Sequence, residues 1–295
     1  MASKALSLPL VVIVGPTASG KTSLAIEIAK RFNGEIICAD SRSIYKGADI
    51  ATAKPSVEER KIVPHHGLDL VEPNEYFSAA DFKKYANKKI DEVKSRNHIP
   101  LLVGGTGLYI DSVIFDYKFG PKANIKLRQK LQRMNLGELY SYCQKNNIKL
   151  PDNIKNKRYI TRSIEVNGQE SQRRNKPINN CIIVGISTDR SVLRDRIEKR
   201  AVIMFNDKII EETKTLSEKY GWDNEAMKSN IYPLIHLFLM NKISIDEAKN
   251  KSITLDWRLA KRQITWLKRN RFIHWLSLND AMDFLTAELA KSMES

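Results

Sequence analysis

Leu10-Val11-Val12-Ile13-Val14-Gly15-Pro16-Thr17-Ala18-Ser19-Gly20-Lys21-Thr22 is the stretch that decides the fold. An apolar run leads into a turn bounded by Gly15 and Gly20, and Ser23 to Lys30 follows with helix-forming residues. A buried strand, a glycine-rich turn and a helix, in that order, form the setting in which G-x-x-x-x-G-K-[ST] binds phosphate. The two glycines let the backbone wrap closely, so that consecutive N–H groups face phosphate oxygens at the positive end of the helix. Lys21 is placed to reach the terminal phosphates, and the Thr22 hydroxyl to coordinate a magnesium ion. The stretch predicts a site for a di- or triphosphate.

The fate of that phosphate is less direct. Phosphate-loop proteins that hydrolyse ATP or GTP carry an acid at the end of another apolar strand, where it holds magnesium. Here Ile99-Pro100-Leu101-Leu102-Val103 runs into Gly104-Gly105-Thr106-Gly107 with no acid. An acid follows a different strand, Glu35 to Ala39, which ends at Asp40-Ser41. At the C-terminal edge of a parallel sheet, where open α/β folds bind ligands, Asp40 could hold magnesium or act as a base on a second substrate. As a turn or capping residue it would do neither.

Charge narrows the second substrate. The chain has 295 residues, long enough for a sizeable core, and 49 basic against 34 acidic residues give a net charge of +15. Residues 1–115 net +2, residues 116–200 net +12 and residues 201–295 net +1. A surplus concentrated in one segment points to a polyanionic partner, with nucleic acid the first candidate. Cys38, Cys143 and Cys181 lie far apart with no metal-ligand spacing, which fits a reducing compartment. A start with one lysine before the first strand leaves no room for a signal peptide, and no apolar run has the length to cross a bilayer. The expectation is a cytoplasmic protein.

Strands and helices alternate over the first 115 residues, which predicts an α/β fold with a doubly wound parallel sheet. A helix fits Ala79 to about Ser95, with Ser78 as its cap, and another fits Leu108 to about Phe115. The polar stretch from Asp40 to Asn74 is longer than a connection requires, and such loops carry function. Basic helical segments follow at Ile125–Met134, Leu136–Asn146 and Asn153–Glu165, before a strand pattern returns at Asn180–Ile186. The organisation expected is a phosphate-loop core over 1–117, an inserted basic all-helical domain over 118–179 and a second, mostly helical part of the core over 180–295. Trp266 reads as a core anchor more readily than as a platform for a base.

Together these pieces resemble the tRNA dimethylallyltransferase family. The likeness rests on Gly15–Thr22, Asp40-Ser41 with Ile44-Tyr45-Lys46-Gly47, Asp49-Ile50 with Thr52-Ala53-Lys54-Pro55, and Pro64-His65-His66 with Asp69. Phe77–Phe82, Pro100–Tyr109 and Ala260-Lys261-Arg262-Gln263-Ile264-Thr265-Trp266 complete it. The resemblance implies a prenyltransferase that moves a dimethylallyl group from dimethylallyl diphosphate to the exocyclic amine of the adenosine 3′ of the anticodon in tRNA. It implies that Gly15, Thr17, Ala18, Ser19, Gly20, Lys21 and Thr22, with Thr106 and Arg200, hold the diphosphate, with Mg2+ at Thr22. Catalysis would fall to Asp40 as base, with Lys21, Thr22 and Arg200 on the leaving group. Asp40, Ser41, Arg42, Ser43 and Thr106 would meet the extruded base, and Arg158, Arg162 and the insertion would grip the anticodon stem-loop. The form implied is the short bacterial one, without a zinc finger, working as a monomer away from membranes.

This chain departs from the family at three places. Ile231-Tyr232-Pro233 stands where relatives carry glycine and tyrosine before a basic residue, Asp256-Trp257 stands near where an arginine and a glutamine are usual, and Lys208 lies near the place of a glycine. From the residues alone, a small-molecule kinase or an RNA-binding ATPase would also use the phosphate loop. The basic insertion argues against the first. The lack of a locatable magnesium acid and hydrolysis sensor argues against the second. The absence of two aspartate-rich motifs, and the all-helical fold of such enzymes, argue against a conventional prenyl-diphosphate synthase.

Overall fold

The computed structural model describes residues 8–121, 124–169 and 171–294. The chain's start, with Lys4, lies outside the described residues, so the expectation about a leader is not addressed by it.

Strand β1 (Leu10–Val14) is buried along its whole length, as a continuous apolar run in a parallel sheet should be. Five more strands join it: β2 (Gly34–Cys38), β3 (His65–His66), β4 (Ile99–Gly104), β5 (Cys181–Ile186) and β6 (His274–Leu276). All pair in parallel, in the order β3-β2-β4-β1-β5-β6. Val12 lies between Leu102 of β4 and Ile183 of β5, which fixes the register at the centre. The helices are α1 (Lys21–Arg31), α2 (Val57–Ile62), α3 (Ala79–Ser95), α4 (Gly107–Ile114), α5 (Ile125–Arg133), α6 (Leu136–Lys145), α7 (Lys157–Glu165), α8 (Arg190–Met204), α9 (Asp207–Tyr220), α10 (Tyr232–Leu239), α11 (Ile245–Leu267) and α12 (Leu278–Glu294).

The period-two alternation of the strands divides the core between two faces. Val11 and Ile13 join Leu101, Val103, Val184 and Ile186 under α1 and α12, with Leu24, Ile28, Leu285 and Leu289 closing that layer. The buried residues of α3 (Phe82, Ala86, Ile90 and Val93) belong to the opposite face, where Phe82 stacks on Tyr109 of α4 at 4.1 Å. The expected cap of α3 is present as a capping box. Asp81 N–H donates to Ser78 Oγ at 3.2 Å, and Ser78 N–H donates to Asp81 Oδ2 at 3.0 Å.

The described chain forms two compact units, Met1–Ile114 with Pro177–Ser295, and Phe115–Lys176. The second has its own small core of Leu131, Leu139, Cys143, Ile160 and Ile164. It holds fifteen basic and five acidic residues, a net +10 of the chain's +15. Three elements escaped the sequence reading: α2, the two-residue β3, and β6, which pairs with β5 through Gly185↔Trp275.

Candidate active site

The phosphate loop ends at Gly20, whose φ of 89° is open to glycine but not to a residue with a side chain. Helix α1 then starts with no side-chain cap and no acid in its first turn. Its leading N–H groups are therefore left for an anion. Lys21 is half-buried, and its ammonium donates to the Pro16 carbonyl at 3.0 Å, folding back over the loop. Burial lowers its pKa to about 8, with Arg200 pushing the same way and Asp40 opposing both. That electrostatic reach brings Lys21, Asp40 and Arg200 into one site.

The loop residues differ in what they offer. Thr22, the second residue of α1, is half-buried, and Ala18 holds a positive φ of 61°. Ser19 is fully buried, and a Cβ on Gly15 would lie 2.7 Å from its Oγ. The Ser19 side chain thus faces into the loop and not outward. The Thr17 N–H already has an acceptor, Gln263 Oε1 of α11, at 2.8 Å.

Asp40 leaves the end of β2 half-buried, and its Oδ1 accepts the Arg42 N–H at 2.8 Å. The turn role and the base role are therefore compatible, because Oδ2 makes no hydrogen bond to a described residue. Ser41 is tied to the turn between β4 and α4, its N–H donating to Thr106 Oγ1 at 3.0 Å. Arg42 turns to the segment before α10, donating to the carbonyls of Glu225 (2.5 Å) and Lys228 (3.4 Å). Ser43 is buried, and its carbonyl accepts the Asp69 N–H, so it supports the turn from inside.

The glycines after β4 are there for close approach. A Cβ on Gly107 would stand 2.0 Å from the Trp266 indole, whose Nε1 donates to Asp111 Oδ2 at 2.8 Å. Trp266 is half-buried and held by this hydrogen bond, with the Arg269 guanidinium 5.4 Å from its ring centroid. A Cβ on Gly105 would collide with Gln263 at 2.3 Å, displacing the side chain that holds Thr17.

Arg200 lies on α8 with its Nη2 donating to Asp256 Oδ2 at 2.6 Å, and Asp256 Oδ1 accepts Asn230 Nδ2 at 2.9 Å. One turn earlier on the same face, Arg196 Nη1 donates to the Ser19 carbonyl at 3.2 Å. Reasoning from sequence assigned no role to Arg196, Gln263, Asp256 or Asn230. The available signals were the helical spacing of Arg196 and Arg200, the Ala260–Trp266 motif that contains Gln263, and the departure at Asp256.

In the basic unit, Arg158 is exposed at the start of α7 next to Tyr159, itself 45% exposed. Arg162 is held, with Nη1 3.3 Å from Glu165 and Nη2 donating to the Pro121 carbonyl at 3.2 Å. Glu165 is fully covered and also takes both ends of Arg128, at 2.6 and 2.7 Å. Of the two arginines, Arg158 is the one presented to solvent.

The departures from the family pattern are absorbed locally. Trp257 packs with Leu193, Ile197 and Ala260 where α8 meets α11. Ile231 and Tyr232 are buried, the Tyr232 hydroxyl donates to Glu212 at 2.8 Å, and Pro233 sits in the first turn of α10. Lys208 is exposed in the first turn of α9, where Asn206 caps its N–H.

A parallel sheet with an uncapped phosphate-loop helix at its C-terminal edge, a lysine over the loop and an acid after β2 at the same edge defines a phosphate-loop protein with a second-substrate site. The comparisons give the family. The model described as IPP transferase matches residues 43–270. A tRNA dimethylallyltransferase of Acetivibrio thermocellus is 40% identical over 92% of this chain and 92% of its own length. One from Bacillus mycoides is 34% identical over 96% and 93%. The crystal structure of the full-length tRNA isopentenylpyrophosphate transferase from Bacillus halodurans superposes with a TM-score of 0.73 at 32% identity, covering 97% of this chain and 98% of that one. The chain belongs to the IPP transferase family, that of the tRNA dimethylallyltransferases.

Proposed function

We propose that this chain transfers the dimethylallyl group of dimethylallyl diphosphate to N6 of the adenosine 3′ of the anticodon in tRNA. The observation that carries this reading is the convergence of Lys21, Asp40 and Arg200 at the mouth of a phosphate loop whose helix N-terminus is uncapped. An adenine amine is a weak nucleophile, so it needs a proton acceptor and an allylic carbon activated by a stabilised leaving group. The N6 nitrogen attacks C1 of the allyl group, the C1–O bond to diphosphate breaks, and the N6 proton passes to Asp40 Oδ2. The N–H groups of the phosphate loop, Lys21 and Arg200 receive the charge that develops on the departing pyrophosphate.

Thr22 would hold Mg2+, which supplies charge neutralisation on the diphosphate. Among the described residues no cluster of three or more His, Cys, Asp or Glu could bind a metal on its own. One hydroxyl fits an ion that takes its remaining ligands from phosphate oxygens and water. The target base leaves its stack to reach the site. Ser41, Arg42 and Thr106 would border it, and Arg158 with the other cations of the basic unit would contact the RNA backbone. No described helix is long and apolar enough to cross a membrane. The reading places the enzyme in the cytoplasm as a monomer, which accords with three free cysteines.

The test is a transfer assay with radiolabelled dimethylallyl diphosphate, Mg2+ and an unmodified anticodon stem-loop, comparing wild type with Asp40→Asn and Lys21→Ala. Loss of a base or of an electrostatic contact costs about 10²-fold or more in rate. Equal labelling by wild type and Asp40→Asn would remove Asp40 from the chemistry.

A further inference from the structure

Arg200 is the one proposed diphosphate ligand that lies far from the loop in sequence and reaches the site on a long, flexible side chain. Its guanidinium is partly defined already. Nη2 is bonded to Asp256 at 2.6 Å, while Nε is buried with no hydrogen-bond partner among the described residues. The carboxylate is itself fixed, since Asn230 Nδ2 donates to its other oxygen at 2.9 Å and only 13% of the Asp256 side chain is exposed. Asp256 and Gln263 sit seven residues apart on α11, two turns along one face, with buried Ala260 between them against α8. Gln263 holds the Thr17 N–H of the phosphate loop. One helix therefore sets the positions of both diphosphate-gripping parts.

We propose that Asp256, steadied by Asn230, is the positioning residue that holds Arg200 ready for the diphosphate. The inference rests on the reading that the phosphate loop holds a diphosphate. An acid beside an anion site has a cost, because pairing with Asp256 neutralises part of the attraction Arg200 would exert. The arrangement is useful only if ordering the guanidinium outweighs that loss. An arginine side chain gives up rotamer freedom when fixed, and here Asp256 has removed that freedom before the ligand arrives. Asn can replace Asp at this position without losing the arrangement, since its carbonyl accepts from Arg200 and a flipped Asn230 amide accepts from its NH2.

The experiment measures binding of Mg2+-pyrophosphate to the full chain by calorimetry for wild type, Lys21→Ala, Asp256→Ala, Asp256→Asn, Asn230→Ala, Arg200→Ala and the double variants Arg200→Ala/Asp256→Ala and Arg200→Ala/Asn230→Ala. Positioning predicts about tenfold weaker binding for Asp256→Ala, recovery to within about threefold for Asp256→Asn, and a double variant no weaker than Arg200→Ala alone. Tighter binding by Asp256→Ala would show that the acid only neutralises. Multiplied losses in the double variant would show that the two residues act independently. Either result overturns the proposal. Should Asp256→Ala fail to fold, Asn230→Ala decides. It loses about threefold in affinity, but only when Arg200 is present. Wild-type binding abolished by Lys21→Ala, yet with no coupling between Asp256 and Arg200, would defeat this inference and leave the diphosphate site standing. No pyrophosphate binding by wild type would defeat both.

Discussion

Lys21 shows how much of a site can follow from one side chain's surroundings. In an open loop its ammonium would stay charged far above neutral pH. Folded back onto the loop, it loses solvation, and with Arg200 adding to that effect against Asp40 its pKa is lowered to about 8. A bound diphosphate favours the charged form, so above pH 8 the complex keeps a proton that the free protein has lost. Binding must then take up a proton, and affinity falls as pH rises. The prediction is a roughly three- to tenfold loss of affinity for dimethylallyl diphosphate between pH 8 and 9, with proton uptake seen by calorimetry in buffers of different ionisation enthalpy. A flat profile from pH 7 to 9.5 would contradict it. Lys21, Thr22 and the two loop glycines were legible in the sequence because the motif is local and its neighbours in space are its neighbours in chain. The acceptor for Thr17 was not, because Gln263 lies 246 residues away. Ser43 shows the converse: a position inside a legible motif whose side chain is buried.

At the level of elements, the stretch from Asp40 to Asn74 is tied down by buried side-chain hydrogen bonds despite its loop-like composition. The Lys54 side chain is 1% exposed, and its ammonium donates to Tyr45 O, Asp49 Oδ1 and Asp69 Oδ1 at 2.6 to 2.8 Å. Glu212 of α9 accepts three consecutive N–H groups, those of Asp49, Ile50 and Ala51. These ties hold the stretch that follows Asp40 and Ser41 in the chain, while Asp40 and Ser41 themselves are held by the Arg42 N–H and the Thr106 hydroxyl. At the opposite end of β2, Glu35 is buried beneath Arg96, His66 and His98. Burial pushes its pKa up, but hydrogen bonds from Arg96 and the two histidines outweigh it and hold the carboxyl at about 2. A depressed carboxyl pKa adds stability above the unfolded value, and that stability is lost as pH falls from about 4.5 towards 2. Glu35→Gln should cost about 2 kcal/mol at pH 7 and flatten that acid limb in urea titrations. Equal stability of the two proteins at pH 7 would contradict this account. Elements with long apolar periods, β1, β4, α1 and α3, could be read from the chain. The short β3 and β6 could not, since two- or three-residue strands exist only through the partner they pair with.

Across the whole molecule the charge is partitioned: fifteen basic residues against five acidic ones in Phe115–Lys176, and near balance elsewhere. That partition was plain in the sequence. Which cations are free to act was not, because Arg128 and Arg162 are drawn onto Glu165 while Arg158 stays exposed. Backbone contacts by this unit predict that binding of an anticodon stem-loop weakens steeply with salt, with a log–log slope of about −3 or steeper. A flat dependence would separate the positive charge from RNA binding. The central claim is that the phosphate loop serves a prenyl diphosphate leaving group and not a nucleotide. The most direct measurement is a single-turnover reaction of wild type with dimethylallyl diphosphate, Mg2+ and an unmodified stem-loop, following the RNA by mass spectrometry and the phosphate product by chromatography. The account predicts one dimethylallyl group on N6 of the adenosine 3′ of the anticodon, with one pyrophosphate released for each group transferred. Unmodified RNA, under conditions where the protein splits ATP or phosphorylates an acceptor, would contradict it.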